Sequence, residues 1–371
     1  MSTSLEPLKL LGLIALDCPG LKPGDFASLV SSGVDPAELF VKADGLPPEL
    51  AALSERACAT DKVTEAEKEI LRLAKAGIRV AIFGSPEYPA NITQLYEPPI
   101  ALFYRGQNLS LLDDKVCVSI VGARKADQIG CDIARDFAFH VAEAGGCVVS
   151  GLAYGIDAHA HLGALHSKET GSTAAVLGNG LEFGIYPSAH KKLAHNILDQ
   201  GGLLLSQFPP FMKPFPSNFL DRNRVIAGLS KATLIIQAAE RSGALATARH
   251  ALDLGREVLV IPGAIGDERY VGSNRLIKQG AYLVSEIDDL FALVAELKPQ
   301  KNSSRNLPSA VLSELQNKIQ EDLMQHGAIH YDELLRTYVD AGALASAIDG
   351  LDETKLITRL PGNFISVRKK I

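Results

Sequence analysis

Residues 115–130 read KVCVSIVGARKADQIG: an apolar run, a turn at Gly122, the basic residues Arg124 and Lys125, and the start of an amphipathic segment. The apolar run is typical of a buried strand, and the spacing from 128 to 144 is typical of a helix. The same order recurs along the chain, with helices predicted at 128–144, 155–167, 188–199, 219–229 and 243–254. The predicted strands are 78–84, 115–123, 147–153, 173–179, 202–208, 232–239 and 256–263. Short buried strands joined by helical crossovers predict an α/β fold with a doubly wound parallel sheet.

Composition divides the rest of the chain around this sheet domain, which we predict to span 76–297. Residues 1–75 have helical apolar spacing and turn signals but no strand pattern, which predicts a small helical domain. Residues 298–308 are polar and rich in Ser and Asn, which is typical of a linker. In 309–371, amphipathic helices at 313–325, 331–337 and 342–350 precede two short strands around 361–363, a pattern that predicts a winged helix.

The apolar and cysteine content indicate a cytoplasmic protein without a membrane span. No run approaches 18 apolar residues, and the N-terminal LKLLGLIALDCPG lacks a small-residue cleavage site, so we expect it to be a helix. The 5 cysteines are scattered and form no C-x-x-C pair, which favours reduced thiols over disulfides or zinc.

Charge is distributed unevenly along the chain. The formal net charge is −6, which does not by itself indicate nucleic acid. From Lys213 to Arg256, however, there are seven Lys or Arg residues against three Asp or Glu residues. Residues 308–371 have seven basic against nine acidic residues, so the positive charge is concentrated in the sheet domain.

Glycine-rich turns after the predicted strands indicate an anion site. Ligands of open parallel sheets bind beyond the carboxyl ends of the strands, and helix N-termini there attract anions. Four such turns follow predicted strands; they contain Gly122 with Arg124 and Lys125, Ser150 with Gly151, the stretch GNGLEFGIYP, and Ser242 with Gly243. The chain lacks the G-x-G-x-x-G and G-x-x-x-x-G-K-[ST] motifs, so neither NAD nor ATP is supported.

Neither a metal site nor a catalytic set follows from the spacing. DAHAHLGALH (157–166) is rich in histidine, but residues two apart on a helix point to well-separated faces, so His159 and His161 cannot both face one ion. Asp157 is compatible with a favourable helix N-terminal charge or with an acid catalyst. We expect no cofactor and no enzymatic reaction.

The stretch FMKPFPSNFLDRNRVIAGLS (211–230) places aromatic rings beside cations at the start of a helix. In one interpretation, Arg222 and Arg224 contact successive phosphates, Asn223 hydrogen-bonds backbone or base, and Phe219 offers a stacking surface for a single strand. In the other, the phenylalanines belong to the core and the arginines pair with Asp221. The stretch alone does not separate the two.

Six motifs together resemble the DNA-processing protein A family (DprA, also called Smf). They are SIVGARKADQIG, VVSGLAYGIDAHAHLGAL, GLEFGIYPSAH, FLDRNRVIAGLS, RSGALATARHAL and VIPGAIGDERYVGSNRLIKQGA. The resemblance implies an extended Rossmann-like domain that binds single-stranded DNA without a reaction, protects incoming DNA in natural transformation, loads the RecA recombinase, and acts as a dimer. It also implies that the helical N-terminal domain, of the SAM or helix-hairpin-helix kind, and the winged helix are accessory domains.

The family's functional positions are carried over by motif. Its Gly-Ser-Arg turn matches Gly122-Ala123-Arg124, which implies that Arg124 contacts phosphate. The helix start Arg222-Asn223-Arg224, with Phe219, matches its DNA-contacting helix. Lys191 with Lys192 matches a basic part of its pocket, and Ser242-Gly243 matches its Ser-Gly turn.

This chain departs from the family pattern at four positions, namely Ala123, His190, Gln207 and Gln237. The basic residues are kept. A second hypothesis is a nucleotide hydrolase or transferase on a Rossmann-like sheet, which requires a carboxylate facing the glycine-rich edge.

Overall fold

The protein is described here by a computed structural model, which covers residues 5–41, 48–167, 169–297, 314–338, 344, 347–348, 351, 356–360 and 362–367. The chain forms two compact units, one up to residue 300 and one from residue 301. The predicted linker at 298–308 lies outside the described residues.

A nine-stranded sheet forms the centre of the first unit. Its strands are β1 (Arg79–Ile82), β2 (Ala101–Arg105), β3 (Cys117–Gly122), β4 (Cys147–Ser150), β5 (Thr173–Val176), β6 (Leu203–Ser206), β7 (Ala232–Ile236), β8 (Glu257–Val260) and β9 (Tyr282–Leu283). Their order across the sheet is β1-β2-β6-β5-β4-β3-β7-β8-β9. From β6 to β9 every neighbouring pair is parallel, whereas β1 with β2 and β2 with β6 are antiparallel.

Helices connect the strands and cover the sheet. They are α1 (Leu5–Leu16), α2 (Pro23–Ser31), α3 (Pro48–Cys58), α4 (Thr60–Lys75), α5 (Leu111–Asp114), α6 (Gln128–Glu143), α7 (Ile156–Ala164), α8 (Lys191–Asp199), α9 (Pro216–Leu229), α10 (Gly243–Asp253), α11 (Val271–Lys278) and α12 (Ile287–Leu293).

Alternate residues of β3 face opposite layers, as the twofold period of a strand requires. Val118 and Ile120 pack in one core with residues of α6 and α7. On the other side, the Ser119 hydroxyl donates to the Ile226 carbonyl of α9 at 2.9 Å. Helices therefore cover both faces of this strand, which is why β3 is almost wholly apolar.

The strand order places a ligand crevice near β3. The chain moves outward from β3 through β4, β5 and β6, and then returns to the other side of β3 with β7, β8 and β9. Such a reversal leaves space outside the carboxyl ends of the central strands, where ligands of open sheets bind.

The N-terminal helices share a core with the antiparallel edge of this sheet. Leu11 of α1 and Phe26 of α2 are fully buried in the same cluster as Phe103 of β2. Gly12 allows α1 to lie close to β1, because a Cβ at this position would be 2.5 Å from the Ile82 side chain. The domain boundary predicted at residue 75 stays a prediction.

The second unit contains two described helices, α13 (Glu314–His326) and α14 (Tyr331–Tyr338), and three strands. The strands β10 (Ile329–His330), β11 (Ile357–Leu360) and β12 (Phe364–Val367) form an antiparallel sheet with β12 in the middle. Of the third predicted helix, at 342–350, only residues 344, 347 and 348 are described, and they are helical. The winged helix stays a prediction.

The predicted α/β fold with a large parallel sheet is confirmed, with differences at both edges of the sheet. β2 and β9 were not predicted, and β1 is antiparallel to its neighbour. β9 has only two residues, whereas β2 has five and is as long as the predicted β7, so length explains only the first omission. Strand direction depends on pairing partners that are distant in sequence. None of the described helices is both long and apolar enough to cross a membrane.

Candidate functional site

A small pocket of about 70 Å³ opens at the carboxyl edge of β3, β4 and β5. We call it the inner pocket. It is lined by Arg124, Gly151, Ala153, Tyr154, Tyr186, Pro187 and Phe219. Turns after three adjacent parallel strands and the first turns of α9 therefore converge on one place, as the strand order predicts.

An aromatic ring and an exposed cation form one wall of the inner pocket. The Arg124 guanidinium carbon lies 5.3 Å from the centre of the Phe219 ring, within the range of a cation–π contact. The Tyr186 ring lies 5.5 Å from Phe219, centre to centre. Gly178 makes room for Phe219, because a Cβ there would be 2.6 Å from the ring. Phe219 is thus half-buried, with its back supported and a face near the pocket.

Two buried charged side chains hold the backbone of Gly151 behind the pocket, one at its N–H and one at its carbonyl. The Gly151 N–H donates to the Asp157 carboxylate at 3.1 Å, and the Gly151 carbonyl accepts from Nη1 of Arg222 at 2.8 Å. Arg222 also donates to the Val176 carbonyl at the end of β5. A Cβ on residue 151 would lie 2.5 Å from the Arg222 guanidinium, so this position requires glycine.

The turn after β4 is strained and held in place. Leu152 has a φ of 56°, in the left-handed region that residues other than glycine rarely adopt. This conformation costs about 1–3 kcal/mol. Its carbonyl accepts a hydrogen bond from Nδ1 of His190 at 2.8 Å. The His190 ring also packs edge-on against Tyr154, with 5.0 Å between ring centres. These contacts fix the direction in which Tyr154 enters the pocket.

Burial shifts the pKa values of the two charged groups behind the pocket in opposite senses. Burial raises the pKa of Asp157, although Arg222 and two backbone N–H groups stabilise its anion. Burial lowers the pKa of Arg222 to about 10, and Asp157 partly offsets that change. Arg222 remains protonated at neutral pH, so a buried positive charge lies close behind Gly151.

Arg224 is bound to its surroundings on the other side of α9. Its Nε donates to Asp221 at 2.8 Å, its Nη2 to Gln207 at 3.0 Å, and its Nη1 to the Glu97 carbonyl. Gln207 also donates to Asp221 at 2.7 Å. Gln207, one of the departures from the family pattern, is therefore a neutral partner for both charges.

Asn223 and the Ser242-Gly243 turn form a link between α9 and α10. The Asn223 side chain donates to the Gly243 carbonyl at 3.2 Å, and the Ser242 hydroxyl caps α10 by accepting from the Ala244 N–H at 3.2 Å. Gly243 is exposed, and a Cβ there would meet no atom within 4 Å.

A second, larger cleft of about 350 Å³ adjoins the inner pocket, and we call it the outer cleft. It is lined by Tyr154, Phe183, Gly184, Ile185, Tyr186, Pro187, Ser188 and Lys191. Tyr154, Tyr186 and Pro187 line both spaces, so the two are continuous.

The histidines of 157–166 each have a separate environment. His159 and His166 bind the carbonyls four residues before them through Nδ1. The fully buried His161 has its Nδ1 at 2.7 Å from the Thr173 hydroxyl, while its Nε2 has no hydrogen-bond partner among the described residues. The Thr173 hydroxyl donates to the Val148 carbonyl, so it accepts from Nδ1–H of His161, and Nε2 is unprotonated. Burial lowers the pKa of His161 to about 3.

Six of the predicted site residues line the two spaces or are exposed. Arg124, Gly151 and Phe219 line the inner pocket, Lys191 lines the outer cleft, and Lys125 and Lys192 are exposed. Gly122 is the last residue of β3, where a Cβ would lie 1.8 Å from the Ile236 carbonyl.

Besides Arg224, which pairs with Asp221 as in the second interpretation of the stretch, two predicted contacts are placed differently from the sequence expectation. The guanidinium of Arg222 was expected to contact phosphate, but it is buried and bound to backbone carbonyls. The Ser150 hydroxyl is buried as well and donates to the Ile120 carbonyl at 2.7 Å. Both side chains therefore support the edge of the sheet from inside.

Sequence reasoning missed the two tyrosines of the inner pocket. Tyr154 and Tyr186 are about half exposed, at 51% and 46%. Each follows a strand end closely, in GLAYGID and GIYP, so an aromatic residue in a glycine-rich turn was the available signal.

This chain is similar to known proteins in sequence and in fold. The model of the DNA recombination-mediator protein A family matches residues 79–295, which is more than half of the chain. The chain belongs to this family. As a member of the DNA recombination-mediator protein A family, it is 37% identical over 297 residues to Protein Smf of Escherichia coli K12, covering 76% of this chain and 75% of that protein. It is 35% identical to the DNA processing protein DprA of Bacillus subtilis, over 61% of this chain and 73% of that one.

Solved structures of this family share the fold. DprA of Streptococcus pneumoniae superimposes with a TM-score of 0.62 at 31% identity, covering 76% of this chain and 97% of that chain. DprA of Helicobacter pylori, whose structure was determined to explain its single-stranded DNA binding mode, gives a TM-score of 0.53 at 27% identity, over 59% of this chain and 96% of that chain.

Proposed function

We propose that this protein binds single-stranded DNA at the inner pocket and catalyses no reaction there. The observation that carries the proposal is the pairing of the exposed Arg124 cation with the supported ring of Phe219 at the carboxyl edge of the sheet. A cation beside an aromatic ring suits a phosphate and its neighbouring base, because every base offers a π-face whatever its sequence. The single-stranded DNA binding of the Helicobacter pylori relative supports the same ligand.

The roles of the predicted residues follow from their positions. Arg124 contacts phosphate, Phe219 stacks on a base, and Lys125, Lys191 and Lys192 attract the backbone on either side. Arg222 acts from inside as a positioning residue, because its contacts fix the Gly151 carbonyl. Through the family resemblance, the proposal extends to a homodimer that protects incoming DNA and delivers it to RecA.

A nucleotide hydrolase or transferase is the alternative, and Asp157 is the carboxylate nearest to the pocket lining. Its carboxylate accepts from the N–H groups of Gly151 and Ala153, at 3.1 and 3.4 Å, and its side chain is buried. That arrangement uses the carboxylate to hold the turn. Turnover of a panel of mononucleotides, lost in Asp157→Asn, would favour the alternative.

Arg124→Ala is expected to weaken binding to every single-stranded oligonucleotide. Each lost phosphate contact should reduce the slope of log K against log salt concentration by about 0.7 in magnitude, because fewer counterions are released. Fluorescence anisotropy of labelled oligonucleotides at several salt concentrations measures this slope. Arg275→Ala, which removes an exposed arginine of α11, is the control and should leave the slope unchanged. An unchanged slope for a folded Arg124→Ala protein removes Arg124 from the site.

Phe219→Ala is expected to cost about 1–3 kcal/mol of binding free energy, because a base loses its stacking partner. The salt slope should stay constant, since no phosphate contact is lost. Leu220→Ala, at the exposed neighbouring position on α9, is the matched control. If Phe219 serves the core instead, its truncation costs about 3–5 kcal/mol of folding stability. A large drop in melting temperature with normal binding per folded molecule would contradict the stacking role.

A further inference from the structure

The outer cleft has the features of a second binding site continuous with the first. Its volume of about 350 Å³ is five times that of the inner pocket, and Tyr154, Tyr186 and Pro187 form the shared wall. Beyond that wall the lining contains one more aromatic ring, Phe183, and one cation, Lys191. Phe183 is 44% exposed, so part of its ring is accessible to a ligand in the cleft.

Backbone hydrogen bonds hold Phe183 in this exposed position. The segment 180–183 is paired with the segment 209–212: the Gly180 N–H donates to the Met212 carbonyl at 2.9 Å, and the N–H groups of Glu182 and Phe183 donate to the Pro210 carbonyl at 2.8 and 3.2 Å. A Cβ on residue 180 would lie 2.1 Å from the Pro209 carbonyl, so the close pairing requires glycine. We call these two paired segments the bracket.

Helix α4, which precedes the sheet domain in sequence, fixes the bracket from outside. Arg72 donates to the Glu182 carboxylate at 2.5 Å and to Glu69 on its own helix at 2.6 Å. Its guanidinium carbon also lies 4.7 Å from the ring centre of Phe211 on the second segment. One side chain of α4 therefore contacts both segments of the bracket, next to the residue that lines the cleft.

The charges around the cleft indicate its ligand. The Glu182 side chain is only 13% exposed, and its carboxylate is paired with Arg72, which it shares with Glu69. Lys191, by contrast, is exposed and is the charged residue of the cleft lining. The outer cleft thus has a cation and an exposed ring in its lining and adjoins the Arg124–Phe219 pair of the inner pocket, an arrangement that suits successive bases and phosphates of a single strand.

We propose that the outer cleft is a second base subsite, in which Phe183 stacks on a base, Lys191 contacts the adjoining phosphate, and Arg72 positions the bracket. This inference rests on the proposed function, because it extends the same strand from the inner pocket. It also gives α4, outside the matched family region, a role in DNA binding.

Binding of dT20 and of a 20-mer made only of abasic sites tests the stacking role. Phe183→Ala should weaken dT20 binding about 5- to 150-fold and leave abasic 20-mer binding unchanged, because only the base contact is lost. Arg124→Ala should weaken both ligands. Phe183→Tyr keeps the ring and should bind dT20 like the wild type. Tyr282→Ala, which removes a similarly exposed ring on β9 at the far edge of the sheet, is the control.

Each outcome decides one proposal. If the wild-type protein does not bind dT20, the proposed function fails. If it binds dT20 and Phe183→Ala binds equally well, the outer cleft is not a base subsite, although the inner pocket stands. Equal weakening of dT20 and the abasic 20-mer by Phe183→Ala also overturns the stacking role.

A double-mutant cycle tests the role of Arg72. If Arg72 acts by holding the bracket, Arg72→Ala weakens dT20 binding in the wild-type background and has no further effect in Phe183→Ala. Arg72→Lys keeps the charge but not the forked contact, so it should recover only part of the affinity. Fully additive losses would show that Arg72 acts independently of Phe183, and they would overturn its positioning role.

Discussion

Arg222→Ala is expected to lower the free energy of unfolding by about 3–5 kcal/mol, which is the cost of leaving a buried charge, that of Asp157, without the opposite charge that offsets it. The substitution leaves the Gly151 and Val176 carbonyls without their donor and removes the cation that faces Asp157. Urea denaturation measures this loss. Arg275→Ala is the matched control, because it removes an arginine whose ion pair with Glu240 is exposed and is worth about 0–1 kcal/mol.

The same variant separates the positioning role of Arg222 from direct phosphate contact. Because the guanidinium is buried, the folded fraction of Arg222→Ala should keep the wild-type dependence of binding on salt. A flattened salt slope together with wild-type stability would contradict this role and restore Arg222 as a phosphate contact.

Acid should destabilise the wild-type protein more than His161→Gln. The pKa of His161 is about 3 in the folded protein, against about 6.5 in the unfolded chain. Between these values the unfolded state binds more protons than the folded state, so stability falls as pH falls from about 7 to about 3. The difference between a pKa of about 6.5 and one of about 3 corresponds to about 5 kcal/mol at the acid end.

Urea denaturation at pH 7, 6, 5 and 4 measures this effect as the difference in free energy of unfolding between the wild-type protein and His161→Gln. Glutamine does not titrate. The free energy of unfolding of the wild-type protein should therefore fall progressively relative to that of His161→Gln as the pH falls. The raised pKa of Asp157 has the opposite effect on stability, but Asp157 is present in both proteins and its contribution cancels. A difference that is constant across this range would show that His161 is protonated in the folded state or exposed to solvent.

Local patterns in the sequence determined the parallel part of the sheet. The apolar strands that became β3, β4, β5, β6, β7 and β8 are short runs, most of them with glycine near one or both ends, and the helices between them have regular apolar spacing. Both signals depend on neighbouring residues only, so they can be recognised without tertiary structure. The turns that carry Arg124 and Gly151 followed from the strand ends in the same way.

Tertiary structure alone decided the pairing of β1 and β2 and the environment of each arginine. Arg124, Arg222 and Arg224 have the same side chain, yet one is exposed beside a ring, one is buried against carbonyls, and one is bound to Asp221 and Gln207. The difference arises because the Arg222 acceptors, Gly151 and Val176, lie 71 and 46 residues away along the chain.

The bracket likewise depends on a contact that the local sequence does not predict, over a longer separation along the chain. Arg72 and Glu182 are 110 residues apart, and no local pattern relates them. Residue type and spacing determined which elements form and which turns meet at the sheet edge. Which side chains at that edge face a ligand and which hold the backbone depends on hydrogen-bond acceptors and packing space supplied by distant segments, and these exist only once the chain is folded.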